Sequence, residues 1–192
     1  TIAFADMAQN SAVSGKVMKW NGSAWVAAND DAGAGALVGY DENGTFSPAP
    51  NASGTDAIAM GVSSVASGAR SVVGGGFLNI AGGDESVVGG GNTNTIASTA
   101  SASTIAGGAK NGIGLNSGNA SIGGGWDNDI DGNSSSAVIG GGYDNNIGSG
   151  SAYTVIAGGS GHDIASTGSY APVSGGQNND IASGANWSSI AG

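Results

Sequence analysis

The residues best suited to chemistry are carboxylates in one short run, Trp126-Asp127-Asn128-Asp129-Ile130-Asp131. In an extended chain Asn128 and Ile130 share one face, which leaves Asp127, Asp129 and Asp131 on the other. Residues two apart on a strand lie about 6.5–7 Å apart, a separation suited to the acid and base of an inverting glycosidase. Asp144 falls one repeat after Asp127, and Asp163 and Asp180 hold the place of Asp129. A general acid also needs its pKa raised by an apolar pocket, and the flanking sequence offers no insertion to wall a cleft. A solvated acidic face is the expectation, with no catalytic residue and no enzymatic activity.

Two further groups invite a chemical reading. Gly158-Gly159-Ser160-Gly161-His162-Asp163-Ile164 matches most of the calcium nonapeptide pattern, glycine-rich with one Asp. That pattern shares each ion between successive nine-residue turns, and here it occurs once, so neither a metal site nor a cofactor is expected. His162 is the single histidine in a chain without cysteine, which rules out a convincing nitrogen and sulfur ligand set. It stands where the other complete repeats place Asn and reads as a ladder residue. The aromatic residues form two columns, Phe77, Trp126 and Tyr143 in one and Tyr153, Tyr170 and Trp187 in the other. Exposed rings suit stacking on sugars; packing over turns or on an adjacent subunit is the competing use. The candidate receptor-contact surface is these six rings with Asp127, Asp129 and Asp144.

What must position these residues is a repeat. A triplet ending in Val or Ile, then a small residue and a glycine pair, begins at residues 71, 86, 103, 120, 137, 154, 171 and 188, with one interval of 15 and then 17 throughout. Position 3 of each unit is Val or Ile, position 9 of the complete units is Asn or His162, and position 11 is Ile. A shorter unit of 14 residues, 57–70, precedes them. A fixed period of this kind is the signature of a solenoid. Each unit can supply two short strands and two turns, so the fold class expected is all-β, a parallel β-solenoid of 14- to 17-residue repeats. Position 7, where bulky and small residues alternate, is expected to face outward. The Asn column is expected to form a side-chain hydrogen-bond ladder.

Composition limits the partners. Glycine accounts for 39 of 192 residues and charged residues for 9%, with a net charge of −10. Four cations cannot make the basic stripe that nucleic acid or an anionic membrane surface demands. No apolar run approaches the ~18 residues of a membrane-spanning helix. The chain begins at Thr1 without a signal-peptide pattern and reads as a segment of a longer protein.

Residues 1–28 lack the repeat. Lys16–Trp20, Asn21-Gly22 and Ser23–Val26 read as a β-hairpin around a type I′ turn. Residues 29–56 read as a connector, with Pro48-Ala49-Pro50 interrupting pairing and Leu37–Tyr40 set against Thr45–Phe46 in a second hairpin. The string GKVMKWNGSAWVAANDD, Gly15 to Asp31, resembles a segment of tailed-bacteriophage tail fibre proteins that precedes a shaft. The unit 57–70 resembles the head repeat of trimeric autotransporter adhesins, and the later GGG-x-x-N-x-I pattern is similar to glycine-rich variants of that repeat. These resemblances imply a β-roll of three associated chains in a phage tail fibre, or alternatively in the head of a bacterial adhesin.

Energetics point the same way. Two buried aliphatic side chains contribute roughly 3–6 kcal/mol per rung, whereas ordering each backbone residue costs roughly 1–2 kcal/mol. A rung this thin is expected to need subunit association to bury more of the same surface, hence an obligate homotrimer. The expected role is structural and adhesive. The partners would be two copies of the same chain, other tail proteins, and a host bacterial surface polysaccharide or outer-membrane receptor. The setting would be the virion. A polysaccharide-depolymerising tailspike is the enzymatic alternative.

Overall fold

The computed structural model describes residues 49–192, together with the backbone of Lys16–Trp20, Trp25–Asn29 and Leu37–Val38. The chain divides into two units, residues 1–33 and 34–192. In the first, Lys16–Trp20 and Trp25–Asn29 pair antiparallel with Trp20 opposite Trp25. The register therefore sets Trp25 rather than Ser23 opposite Trp20, and the expected turn at Asn21-Gly22 lies outside the described residues. A register that sets two aromatic positions opposite each other is favoured.

The second unit is a parallel β-solenoid, with two nine-stranded parallel sheets and no helix among the described residues. Each rung gives one two-residue strand to each sheet. Positions 2 and 3 supply the first sheet, from Leu37–Val38 to Pro172–Val173. Positions 10 and 11 supply the second, which opens at Asn51–Ala52 and closes at Asp180–Ile181. Every strand pairs with its equivalent one rung on, as Ile105 with Ile122 and Ile113 with Ile130. A third line of single bridges runs down position 7 from Phe77 to Gln177, preceded by Val62 in the shorter unit. Pro172, which lacks a ladder donor, sits in the terminal strand of its sheet.

The ladder starts earlier than residue 57. Leu37–Val38 pairs parallel with Ile58–Ala59, and Asn51–Ala52 pairs with Val65–Ala66, while the expected hairpin partner Thr45–Phe46 lies outside the described residues. Pro50 thus falls inside the first rung rather than ahead of the array, and residues 39–48 lie outside the described residues.

Each rung closes on its own interior. The side chains at positions 3 and 11, such as Val88, Ile96, Ile105 and Ile122, are fully buried within one chain. Small residues at positions 1 and 15 and the Asn of position 9 complete the lining, among them Ser103, Ala120, Ser134 and Asn111. The aliphatic columns therefore need no second chain to leave water. The expectation that association buries more of that same surface is corrected: any association must use the outside.

Two polar ladders run through this interior. Asn94 Oδ1 accepts both the backbone N–H (3.1 Å) and the Nδ2 (3.0 Å) of Asn111. Asn111 Nδ2 also donates to the carbonyls of Gly107 (3.0 Å) and Gly125 (3.2 Å), so the column holds the glycine turn as well as its own neighbours. At position 15, Ser134 Oγ donates to the Gly148 carbonyl (3.0 Å) and accepts the Ser151 N–H (3.1 Å). Buried polar groups of this kind stabilise only when every donor finds an acceptor.

The corners are left-handed. Position 8 has φ near +57° at Leu78 (55°), Thr93 (59°), Lys110 (58°), Asp127 (58°) and Asp144 (56°). The last residue of each unit, position 17 in the complete ones, does the same from Arg70 (57°) to Trp187 (62°). Such a φ costs about 1–2 kcal/mol for a residue with a Cβ. It persists because it turns the N–H back toward the preceding rung, as Asp127 N–H to the Ala109 carbonyl (3.0 Å) and Tyr170 N–H to Ala152 (3.1 Å). Strand N–H groups point the other way, to the next rung, as Val87 to the Ser103 carbonyl (2.9 Å).

Glycine is required at position 6, where a Cβ on Gly91 would overlap the Gly108 carbonyl oxygen. Replacing Gly91 by Ala should lower stability by about 3 kcal/mol through that overlap and its φ of 98°. Ala102→Gly at a left-handed corner should instead raise it by about 0.5–1 kcal/mol. Both are read from denaturant unfolding midpoints, and an opposite order of the two effects would refute the assignment of strain.

Candidate functional site

The nine candidate residues fall in three separate places. Positions 7 and 8 form one corner, after the glycine pair that ends the first sheet. Phe77, Trp126 and Tyr143 are all exposed there, at 45%, 45% and 57%, so position 7 faces outward as expected. Asn92 and Ala109 separate Phe77 from Trp126, whereas Trp126 and Tyr143 occupy consecutive rungs. One patch therefore contains Trp126, Tyr143, Asp127 and Asp144, and Phe77 stands apart from it. Lys110, in the preceding rung, places Nζ 5.0 Å from the centre of the Trp126 ring. That cation–π contact covers part of one ring face and fixes its orientation.

Asp129 lies on the outward side of the second sheet. Asp127 is not on that strand but at the left-handed corner before it, and Asp131 follows the strand's end. The three carboxylates do not form the expected single strand face, because position 8 must turn the chain. Asp129 is instead tucked beside Gly112, where any side chain would overlap its Oδ1. The missing side chain leaves a shallow depression of about 330 Å³, lined by Thr95, Ala97, Gly112, Leu115, Asp129 and Asp131 among others. Asp129 stays exposed on the outer side of its strand, yet partial desolvation against this wall, then repulsion from Asp127 and Asp131, pushes its carboxyl up to about 6. The expectation that no wall flanks these carboxylates is corrected by this depression. Along the same column Asn146 intervenes between Asp129 and Asp163, donating from Nδ2 to Asp163 Oδ1 at 2.8 Å. The carboxylates alternate with a neutral amide at this point rather than stacking directly.

Comparison of the chain with protein-family models, curated proteins and solved structures gives no match. The site must be read from its geometry.

The third place is position 17, the corner before the first sheet. Tyr153 and Tyr170 stack with centroids 5.1 Å apart and planes within 7°, and Tyr170 and Trp187 at 4.2 Å and 2°. The sequence placed these three in a column, and the structure brings them into one stack. Only Tyr170 is covered on both faces; Tyr153 and Trp187 each turn one face on it, and Trp187 remains 74% exposed. A sugar site also needs hydrogen-bond acceptors beside its rings, and Trp126 and Tyr143 have the carboxylates of Asp127 and Asp144 next to them, which this stack lacks.

His162 is a ladder residue, as expected. Its N–H donates to Asn145 Oδ1 (3.1 Å), and its Nδ1 accepts the Asn179 N–H (3.1 Å). The ring is buried and its Nε2 has no hydrogen-bond partner, in the place where Asn145 Nδ2 reaches two glycine carbonyls. No group of three or more His and carboxylate side chains among the described residues converges to hold a metal ion. Sequence reasoning missed Lys110, Leu115 and Gly112. Each becomes visible when the repeats are aligned one above another, since each sits one rung before Asp127, Gly132 or Asp129.

Two substitutions test these assignments. In the unfolded chain Asp129 titrates near the ordinary ~3.9, so folding favours its proton and stability falls as pH rises through about 6. Asp129→Asn should leave stability unchanged at pH 4 and raise it above pH 6, by about 1 kcal/mol after solvent screening. Thermal unfolding across that range measures it, and a stabilisation independent of pH would refute the assignment. His162→Asn should restore the interrupted ladder and stabilise the solenoid by about 1–2 kcal/mol, seen as a higher denaturation midpoint.

Proposed function

We propose that this chain is a structural and adhesive fibre segment that displays a carbohydrate-contacting corner on a rigid solenoid. The observation that supports this best is the patch of Trp126, Tyr143, Asp127 and Asp144. Two neighbouring rings are exposed at 45% and 57%, with a carboxylate beside each on a strained, fixed corner. An aromatic face excludes water from the apolar face of a sugar ring, while carboxylates accept its hydroxyl protons. Because the interior is fully given to packing and to its two ladders, the rod holds this patch in place without help from a ligand.

The resemblance of Gly15–Asp31 and of the repeats to phage and adhesin sequences sets the context of the proposal. The protein is a bacteriophage tail fibre component that works as a homotrimer in the virion. Other tail proteins hold it, and a host bacterial surface polysaccharide or outer-membrane receptor is its target. It acts by binding, not by catalysis.

Trp126→Ala and Tyr143→Ala should each weaken binding to host cells or their extracted polysaccharide about tenfold, the effect of ~1.4 kcal/mol. Phe77→Ala, three rungs away, should leave it unchanged, and circular dichroism should match in all three. Equal affinity of the Trp126 and Tyr143 variants and the parent would reject the patch. The Asp129 depression is the one feature that favours the depolymerase reading. Release of reducing ends from polysaccharide by the parent, lost in Asp129→Asn, would establish that reading instead; no release is expected.

A further inference from the structure

We propose that copies of this chain pack on one another through the outer face of the first sheet. The inference rests on the assembly reading above and names the surface that the reading lacked. Position 2 points outward along this face, and Ile58, Val72, Val87, Val138 and Val155 make it apolar, while Thr104 and Ser121 are polar but uncharged. Position 4 is Met60 or a residue no larger than Ser, so the face is flat. In a chain of net charge −10, none of the charged residues of 57–192 falls at positions 1 to 6. They occupy the corners and the second sheet, where Asp129, Asp163 and Asp180 share one column.

Charge selects the occupant. Any association through the second sheet or the position 8 corner would bring carboxylates of two strongly acidic chains together. Packing the first sheets together keeps those columns on the outside, with both sheets and the interior between them. The area is sufficient. Eight strands at a spacing of ~4.8 Å, each about 16 Å wide with its first glycine, present roughly 600 Å² per copy. Three such faces turned toward a common axis bury roughly 1,800 Å², above the ~1,000 Å² of a stable interface. The face is also commensurate with itself, since a second copy carries the same ridge at the same rung spacing. Interior columns cannot supply this contact, because they are buried already.

The test uses the whole chain. In sedimentation equilibrium the parent should have about three times the 18.1 kDa chain mass, and Val87→Lys with Val138→Lys should reduce it threefold to the monomer. Asn146→Lys on the second sheet should not change the mass. As a readout that does not depend on a disruptive variant, the chain has no cysteine of its own. Ser121→Cys should then be cross-linked between copies by a short bis-maleimide, and Asn146→Cys should not. Retained mass in the double lysine variant, or cross-linking through position 146 and not 121, would overturn the proposal. A parent that binds host cells as a monomer would overturn it too while leaving the adhesive reading intact. A parent that assembles through position 121 and binds no surface would do the reverse.

Discussion

A single rung has few backbone hydrogen bonds of its own, and this is the constraint on which the rest of the structure depends. Nearly all its strand and corner N–H groups are satisfied one rung away: Ile58 by Ser71, Thr104 by Ala120, Trp126 by Gly142. Stability is therefore a property of neighbours, and it accumulates along the stack as in other repeat proteins. The Asn and Ser ladders extend the same rule to side chains, since Asn128 Oδ1 has no partner until Asn145 is in place. Left-handed corners are tolerated for the same reason. Each is strained within its own rung and repaid by a bond to the rung before.

The change of period follows from how such a stack is filled. From strand to strand the first unit spends seven residues, Ile58 to Val65, and seven more to Val72. The next spends eight to Ile80 and seven to Val87, and the next eight to Thr95 and nine to Thr104. Growth occurs only at the corners, first by one residue and then by two, so the strands stay paired. The interior side chains grow in step, from Ala59 and Ala66, through Val73 and Ala81, then Val88 and Ile96, to Ile105 and Ile113. A longer perimeter leaves a wider interior, and close packing requires that it be filled. The Asn ladder begins at Asn79, in the first rung with the additional residue, while Ser64 occupies the inward position of the shorter one.

Much of this was legible because identical positions in a solenoid meet identical neighbours. Ile at position 11, Asn at position 9 and glycine at position 6 could be assigned inward or turn roles from periodicity alone. Two things could not. The first is closure: two aliphatic residues per rung were counted as the whole core, but Ala120, Ser134 and Asn111 are just as buried, and small or polar residues carry no hydrophobic signal. The second is the corner. Alternation along a strand was extended from Asp129 to Asp127, yet φ at Asp127 is +58°. An Asp, a Lys and a Leu in the same left-handed column share no residue type that would have announced it.

A column of like residues tends to satisfy itself, which bears on where a solenoid can bind anything else. Asn donates to Asn, and Tyr153 and Trp187 between them cover both faces of Tyr170. Such columns contribute rigidity and leave little unmatched for a ligand. Unmatched groups arise where the column changes residue. Lys110 gives way to Asp127 beside the turn from Ala109 to Trp126, and Thr95 gives way to Gly112 and then Asp129. At the first break a cation meets an indole, and at the second a carboxylate meets an empty notch. Both breaks lie in adjacent rungs, on the acidic side of the rod and away from the charge-free sheet. The irregularities of this repeat, more than its regularities, are therefore where its chemistry toward other molecules is concentrated.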